Sequence, residues 1–168
     1  MKKTLLIIAV FLIAGSTAFS QVQFGIGGMA GTKAGLDDNF EAKINFGPHV
    51  RALFNVTEQI GVTAGFSYYL PFKYNAFGAE VTMNYMAFNA DALYYILNED
   101  AFKVYALGGV NYGMIKLKFE DMGVDDGTGT ENHFDWEVGG GIQVGKIFAE
   151  IKYDNSNEHI QAFLGIYF

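Results

Sequence analysis

Apolar and polar residues alternate along most of this chain after its first twenty positions. From His159 to Phe168, Ile160, Ala162, Leu164, Ile166 and Phe168 recur at every second position, with Gln161 and Gly165 between them. That is the period of a β-strand, whose successive side chains point to opposite faces. The same period predicts eight strands: Gln21–Gly31, Lys43–Phe54, Ile60–Leu70, Glu80–Ile96, Phe102–Phe119, His133–Val144, Ile147–Asp154 and His159–Phe168.

The two faces of each strand differ sharply. The sixth sets Phe134, Trp136, Val138, Ile142 and Val144 against Asp135, Glu137, Gly139, Gly141 and Gln143. The third sets Ile60, Val62, Ala64, Phe66, Tyr68 and Leu70 against Gly61, Thr63, Gly65, Ser67 and Tyr69. In the fourth, Met86, Phe88, Ala90, Ala92, Tyr94 and Ile96 oppose Asn89, Asp91, Leu93 and Tyr95. Connections alternate in length: Asn55–Gln59, Leu97–Ala101 and Gly145-Lys146 are short, whereas Thr32–Ala42, Pro71–Ala79, Glu120–Asn132 and Asn155–Glu158 are longer or more polar. A two-residue turn at Gly145-Lys146 would pair Val144 with Ile147, Glu150 with Gly141 and Lys152 with Gly139. A slip of one residue would turn Glu150 and Lys152 onto the apolar face. Pro48 conflicts with a paired mid-strand position and predicts a bulge or local break.

The ends change the picture from strands to location. Met1-Lys2-Lys3, the apolar run Leu5 to Ala14 and the small-x-small triplet Ala18-Phe19-Ser20 read as a secretory signal peptide over residues 1–20. The run is too short to span a bilayer as a helix. Cleavage would leave one domain over residues 21–168, 148 residues long, with no Cys for lipidation, disulfides or thiolate metal sites. Without Lys2 and Lys3, nine basic residues face eighteen acidic ones, a net charge of −9. Such a surface repels nucleic acid. Aromatic residues make up 16% of the chain and Gly contributes 21 positions. That suits a sheet with two demanding faces better than helices, where Gly costs about 1 kcal/mol.

Two barrels fit the pattern. A soluble, lipocalin-like ligand binder turns the apolar face in; a membrane barrel turns it out. An eight-stranded barrel has an interior just wide enough for side chains to fill. The Gly, Ser, Thr and Asn faces fit inside, and the Phe, Trp, Tyr, Leu and Ile faces fit lipid. Outward Trp136, Tyr68, Tyr112 and Tyr153 fall near the long-loop ends, and Phe24, Phe54, Phe102 and Phe168 near the short turns, as in the two aromatic girdles of membrane barrels.

The inward charges are then the candidate site: Arg51, Lys103 and Lys152 against Asp91, Asp135, Glu137 and Glu150, with His49 nearby. In a narrow lumen such groups must pair, because an unpaired buried charge costs far more than a bridged one. The reading is a structural salt-bridge network, with a narrow ion path as the functional alternative. Asp154, Ser156, Glu158 and His159 form a local nucleophile, base and acid set, but closeness in sequence is not triad geometry. Gly25-Ile-Gly27-Gly28-Met-Ala30 matches G-x-G-x-x-A without the surrounding βαβ unit that nucleotide binding needs. The acidic loop residues Asp37, Asp38, Glu120, Asp121, Asp125, Asp126 and Glu131 could hold divalent cations, though solvated charge explains them. Asn55-Val-Thr57 matches a glycosylation acceptor, but it falls in a short turn. No cofactor or metal site is expected.

The terminal aromatic strand, the signal peptide and the alternating strands resemble small eight-stranded bacterial outer-membrane β-barrel proteins. The size is that of the OmpX-like group and the OmpA transmembrane domain, with a Bacteroidota-type mature start at Gln21. The resemblance implies an all-β, antiparallel up-and-down transmembrane barrel in the bacterial outer membrane, both termini periplasmic. It implies partners in outer-membrane lipid and lipopolysaccharide, and a monomer. It also implies insertion by the barrel-assembly machinery through the last strand, with Ile160, Leu164, Ile166 and Phe168 as the signal. The expected role is structural or surface-interacting, with an extracellular ligand or protein at the loops and no catalysis. A small-solute channel or transporter and a lipid-modifying enzyme are the other functions weighed.

Overall fold

The computed structural model describes residues 22–32, 44–76, 79–120, 128–155 and 159–168. The proposed signal peptide, Asp37, Asp38, Asp121, Asp125, Asp126, Ser156 and Glu158 lie outside them. Eight strands run in chain order: β1 (Val22–Thr32), β2 (Ile44–Asn55), β3 (Ile60–Ala76), β4 (Ala79–Asn98), β5 (Phe102–Glu120), β6 (Thr128–Val144), β7 (Ile147–Asp154) and β8 (His159–Tyr167). Each pairs antiparallel with the next, and β1 pairs with β8 to close a barrel. Closure leaves no strand at the edge of an open sheet, which a lipid environment demands.

The short turns are ordered by a few local bonds. Thr57 Oγ1 accepts from the backbone N–H groups of Gln59 and Ile60 at 3.2 and 3.0 Å, between β2 and β3. Gly145 has φ of 57°, so the β6–β7 turn needs a residue without a Cβ there. The register that follows sets Val144 against Ile147, Gly141 against Glu150 and Gly139 against Lys152.

The apolar faces point outward. Phe134, Ile151, Leu164, Phe46 and Ile44 are each about 60% exposed or more. The proposed girdle residues Trp136 and Tyr112 face outward at the loop end, with the Trp136 and Tyr153 rings tilted to each other at 6.0 Å, and Phe24, Phe102 and Phe168 face outward at the turn end. The inner face buries Leu53, Leu93, Tyr95, Tyr105, Leu107, Phe148, Phe163 and Tyr167 toward the turn end, and Met29, Tyr69, Met83, Tyr85 and Ile115 toward the loop end.

Two expected loops are partly strand. β3 continues past Leu70 to Ala76, pairing with β4 through an irregularity between Tyr69 and Phe72 that absorbs Pro71. β6 begins at Thr128, opposite Lys118 of β5, not at His133. These segments are polar because they lie beyond the apolar band. Pairing to a neighbour holds them extended, a tertiary effect that a hydrophobic period does not register. As a result β3 to β6 reach well past the loop-end limits of β7 and β8.

Pro48 produces no bulge. β2 passes through it in unbroken register with β1, opposite Gly28. The break is one-sided: pairing with β3 runs from Asn55 to His49 and stops there, at the residue beside Pro48. Without an N–H, Pro48 is tolerated where the strand loses its second neighbour.

Candidate functional site

The lumen is built in layers. At the turn end, Phe148 packs on Tyr167 with ring centroids 4.8 Å apart, and Tyr95 meets Tyr105 edge-on at 5.7 Å. The Arg51 guanidinium lies 4.6 Å over the Phe148 ring and 5.6 Å from the Tyr167 ring. This aromatic floor shields the charges above it from the turn-end mouth.

Above it, charges on opposite walls meet. Arg51 on β2 pairs with Glu150 on β7 at 2.6 Å. Tyr105 on β5 donates to the same carboxylate at 2.7 Å. Lys152 on β7 reaches Asp91 on β4 at 2.5 Å and Glu137 on β6 at 3.1 Å. All five charged side chains are almost fully buried. Thr63 and Asn89 each donate to Asp91 at 3.2 Å. The strands supply this geometry through parity: Arg51, Asp91, Glu137, Glu150 and Lys152 all sit at inward positions. Gly109, in register with both Asp91 and Glu137, leaves the gap that the Asp91 carboxylate fills, and a Cβ there would collide with it.

The other sequence-predicted residues stand apart from that cluster. His49 Nδ1 is 2.9 Å from Ser67 Oγ, and its ring meets Phe163 edge-on at 4.7 Å. Lys103 lies at the turn-end mouth, 5.4 Å from the Tyr95 ring, beside a polar pocket of about 400 Å³ that Gln23, Asn55, Glu58 and Asn98 also line. Asp135 is half-buried at the loop end, opposite Asn111.

A second polar layer toward the loop end escaped the sequence reading. Asp154 accepts from Asn111 Nδ2 and, at 3.4 Å, from Gln161 Nε2. The same Gln161 amide is 3.2 Å from His159 Nδ1. An amide nitrogen only donates, so Nδ1 accepts and the His159 proton resides on Nε2. Tyr85 Oη is 3.2 Å from His133 Nε2, and Tyr69 packs on Tyr85 at 4.8 Å. Asp154 and His159 are thus lumen residues at strand ends, not members of an exposed loop set. The Gln161 amide lies between them, 3.4 Å from the Asp154 carboxylate and 3.2 Å from His159 Nδ1. Their parity carried the signal: Asp154 shares a face with Glu150 and Lys152. Among the described residues, no group of three or more His, Cys, Asp or Glu has metal-binding geometry.

Residues 4–162 match the family of the outer membrane protein beta-barrel domain. The chain belongs to that family. It is an outer-membrane barrel, and the outward apolar face is its lipid-facing surface. Solved structures agree on the fold. Ail, the attachment invasion locus protein of Yersinia pestis, is 15% identical with a TM-score of 0.59, over 87% of this chain and 94% of Ail. Neisserial surface protein A is 12% identical with a TM-score of 0.57, over 88% and 94% of the two chains. A major outer membrane protein of Thermus thermophilus is 13% identical with a TM-score of 0.52, over 88% and 99%. No curated protein sequence matches the chain.

Proposed function

We propose that this outer-membrane barrel serves a structural or surface-contact role, with a lumen that neither conducts nor catalyses. One observation carries the reading. Two ion pairs, Arg51 to Glu150 and Lys152 to Asp91, cross the lumen between non-adjacent strands above an aromatic floor, and Lys152 also holds Glu137 of the neighbouring β6. A solute path would have to break buried pairs that have no solvent to replace them. The cluster of Arg51, Asp91, Glu137, Glu150 and Lys152 is accordingly a structural filling, with His49, Lys103 and Asp135 outside it.

In this reading residues 1–20 direct export and residues 21–168 form the barrel. Both termini face the periplasm, and Ile160, Leu164, Ile166 and Phe168 present the lipid face of β8 to the assembly machinery. Outward exposure of these four, from 46% to 72%, supports it. The elongated β3–β6 hairpins would then project outside the cell and offer a surface to an extracellular partner. Ail has been solved in complex with the heparin analogue sucrose octasulfate. A comparable contact here would take a neutral or cationic ligand, since residues 21–168, with net charge −9, repel a polyanion.

The test is planar-bilayer recording on the purified, refolded barrel. Silence is expected for the native chain, and stable unitary conductance would overturn the closed-lumen reading.

A further inference from the structure

The charged layer of the lumen holds more acid than base. Arg51 and Lys152 are its cations, and Asp91, Glu137 and Glu150 are its carboxyls. Arg51 and Glu150 make one pair at 2.6 Å. That leaves the single ammonium of Lys152 for both Asp91 and Glu137. Solvent does not share the load: Asp91 is 2% exposed, and Glu137 and Lys152 are 1% exposed. A surplus carboxylate in so dry a place is costly unless something neutralises it.

The groups packed around the pair do not supply the missing positive charge. His49 on β2 stands near Arg51 and Lys152 with its ring edge-on to Phe163, so a third cation there would face the other two. Tyr105 on β5 is bonded to Glu150. Toward the loop end, Tyr69 on β3, Tyr85 on β4, Asp135 on β6 and Asp154 on β7 can only be neutral or negative. On β8, His159 Nδ1 accepts from Gln161, so that imidazole is uncharged. His133 on β6 lies further out, against Tyr85.

The strands turn the two carboxyls toward each other. Asp91 and Glu137 are both in register with Gly109, on either side of β5. Gly109 has no side chain to part them, and Asp91 Oδ1 lies over it where a Cβ would collide. The two carboxyl groups are within hydrogen-bonding reach of each other. Each has one buried oxygen without a donor, Asp91 Oδ1 and Glu137 Oε2. Two ionised carboxylates can only accept, so this contact needs a proton. The surrounding donors decide where it sits. Asp91 Oδ2 accepts from Thr63, Asn89 and Lys152, whereas Glu137 accepts from Lys152 alone. Three donors hold Asp91 as the ion, which leaves Glu137 to carry the proton. We propose that Asp91 and Glu137 form a buried proton-binding site that is filled at neutral pH, with the shared proton on Glu137 and donated to Asp91. The layer then contains two ion pairs and one neutral carboxyl, and no net charge draws a dissolved cation into the lumen. The site is independent of any partner at the projecting hairpins.

The test is carbon NMR at neutral pH on the full mature barrel in phosphatidylcholine nanodiscs, with the glutamate side-chain carboxyl carbons labelled. One signal is expected at the position of a protonated carboxyl, and it should vanish in Glu137→Gln, whose amide can donate to Asp91 in its place. Asp91→Asn gives a second reading if that variant folds poorly. Glu137 then becomes the only anion for Lys152, and its signal should move to the carboxylate position. Glu131→Gln, on the exposed loop-end part of β6, should leave the signal unchanged. Raising the pH should strip the proton, and the urea midpoint of the native barrel should fall over the same range, because the folded state is then the one losing the proton. The Glu137→Gln midpoint should not follow that step. A native barrel with every glutamate at the carboxylate position, or a carboxyl signal that survives Glu137→Gln, would overturn the site. A midpoint that rises with sodium chloride and not with choline chloride would show a metal cation in place of the proton, and would overturn it too.

Discussion

Lys152 carries two carboxylates on one ammonium, at 2.5 and 3.1 Å, and is 1% exposed. Removing it leaves Asp91 and Glu137 facing each other uncompensated. Lys152→Met is expected to lower barrel stability by about 3–5 kcal/mol, read as a fall in the urea midpoint of the heat-modifiable gel shift. Adding Asp91→Asn and Glu137→Gln should restore most of the loss, since the cost is the orphaned charge and not the missing attraction. A triple variant as weak as the single one would show that Lys152 matters through packing instead. The opposite face gives a matched case. Ile151, one residue away and 64% exposed to lipid, should tolerate no charge: Ile151→Arg is expected to cost about 2–4 kcal/mol near the bilayer centre, in the same assay in bilayers.

At the scale of elements, strand parity was legible in the sequence because lipid and lumen place opposite demands on alternate positions. The β6–β7 hairpin shows how far that reaches. One turn of two residues fixed every pair from Val144 to Glu137, including the glycines that give Glu150 and Lys152 room. Strand ends were less legible. Ala76 and Thr128 extend their strands through backbone pairing alone, where polar side chains carry no alternation. Pro48 reads in the sequence as a conflict that predicts a bulge or a local break; the break is what occurs, on the β3 side alone, because which of its two neighbours it loses depends on the register around the barrel. The pairing pattern has a measurable consequence. Amides in the 44–47 segment of β2, paired with β1 alone, should exchange hydrogen faster than those from Val50 to Phe54, paired on both sides. Equal protection in native-state exchange would mean that β2 and β3 stay closed past Pro48.

For the whole molecule, the even strand count, the closed order and the inward charges followed from period and size. The partners of each charge did not. Arg51 meets Glu150, and Lys152 meets Asp91, across the lumen between strands far apart in the chain. Only the diameter and stagger of the closed barrel decide such pairs. The polar layer of Asn111, Asp154, His159 and Gln161 depends on the same closure, and the sequence shows its members only as separate polar residues. Assembly is tested at this scale too. Deleting Phe168, which is 72% exposed and whose backbone N–H donates to the Phe24 carbonyl at 2.9 Å, should slow insertion in cells more than it lowers the midpoint of a barrel already folded. Normal insertion of the truncated chain would reduce Phe168 to a lipid-facing anchor.

The unequal strands also make the rim oblique. β3 to β6 stand tall at the loop end, while β7 and β8 stop early and β2 loses its second neighbour. Viewed down its axis, the barrel has a high wall on one side and a low sill on the other. A neighbour in the plane of the membrane therefore meets a different molecule from each compass direction, and rotation about the membrane normal becomes a variable that a symmetric cylinder would not have.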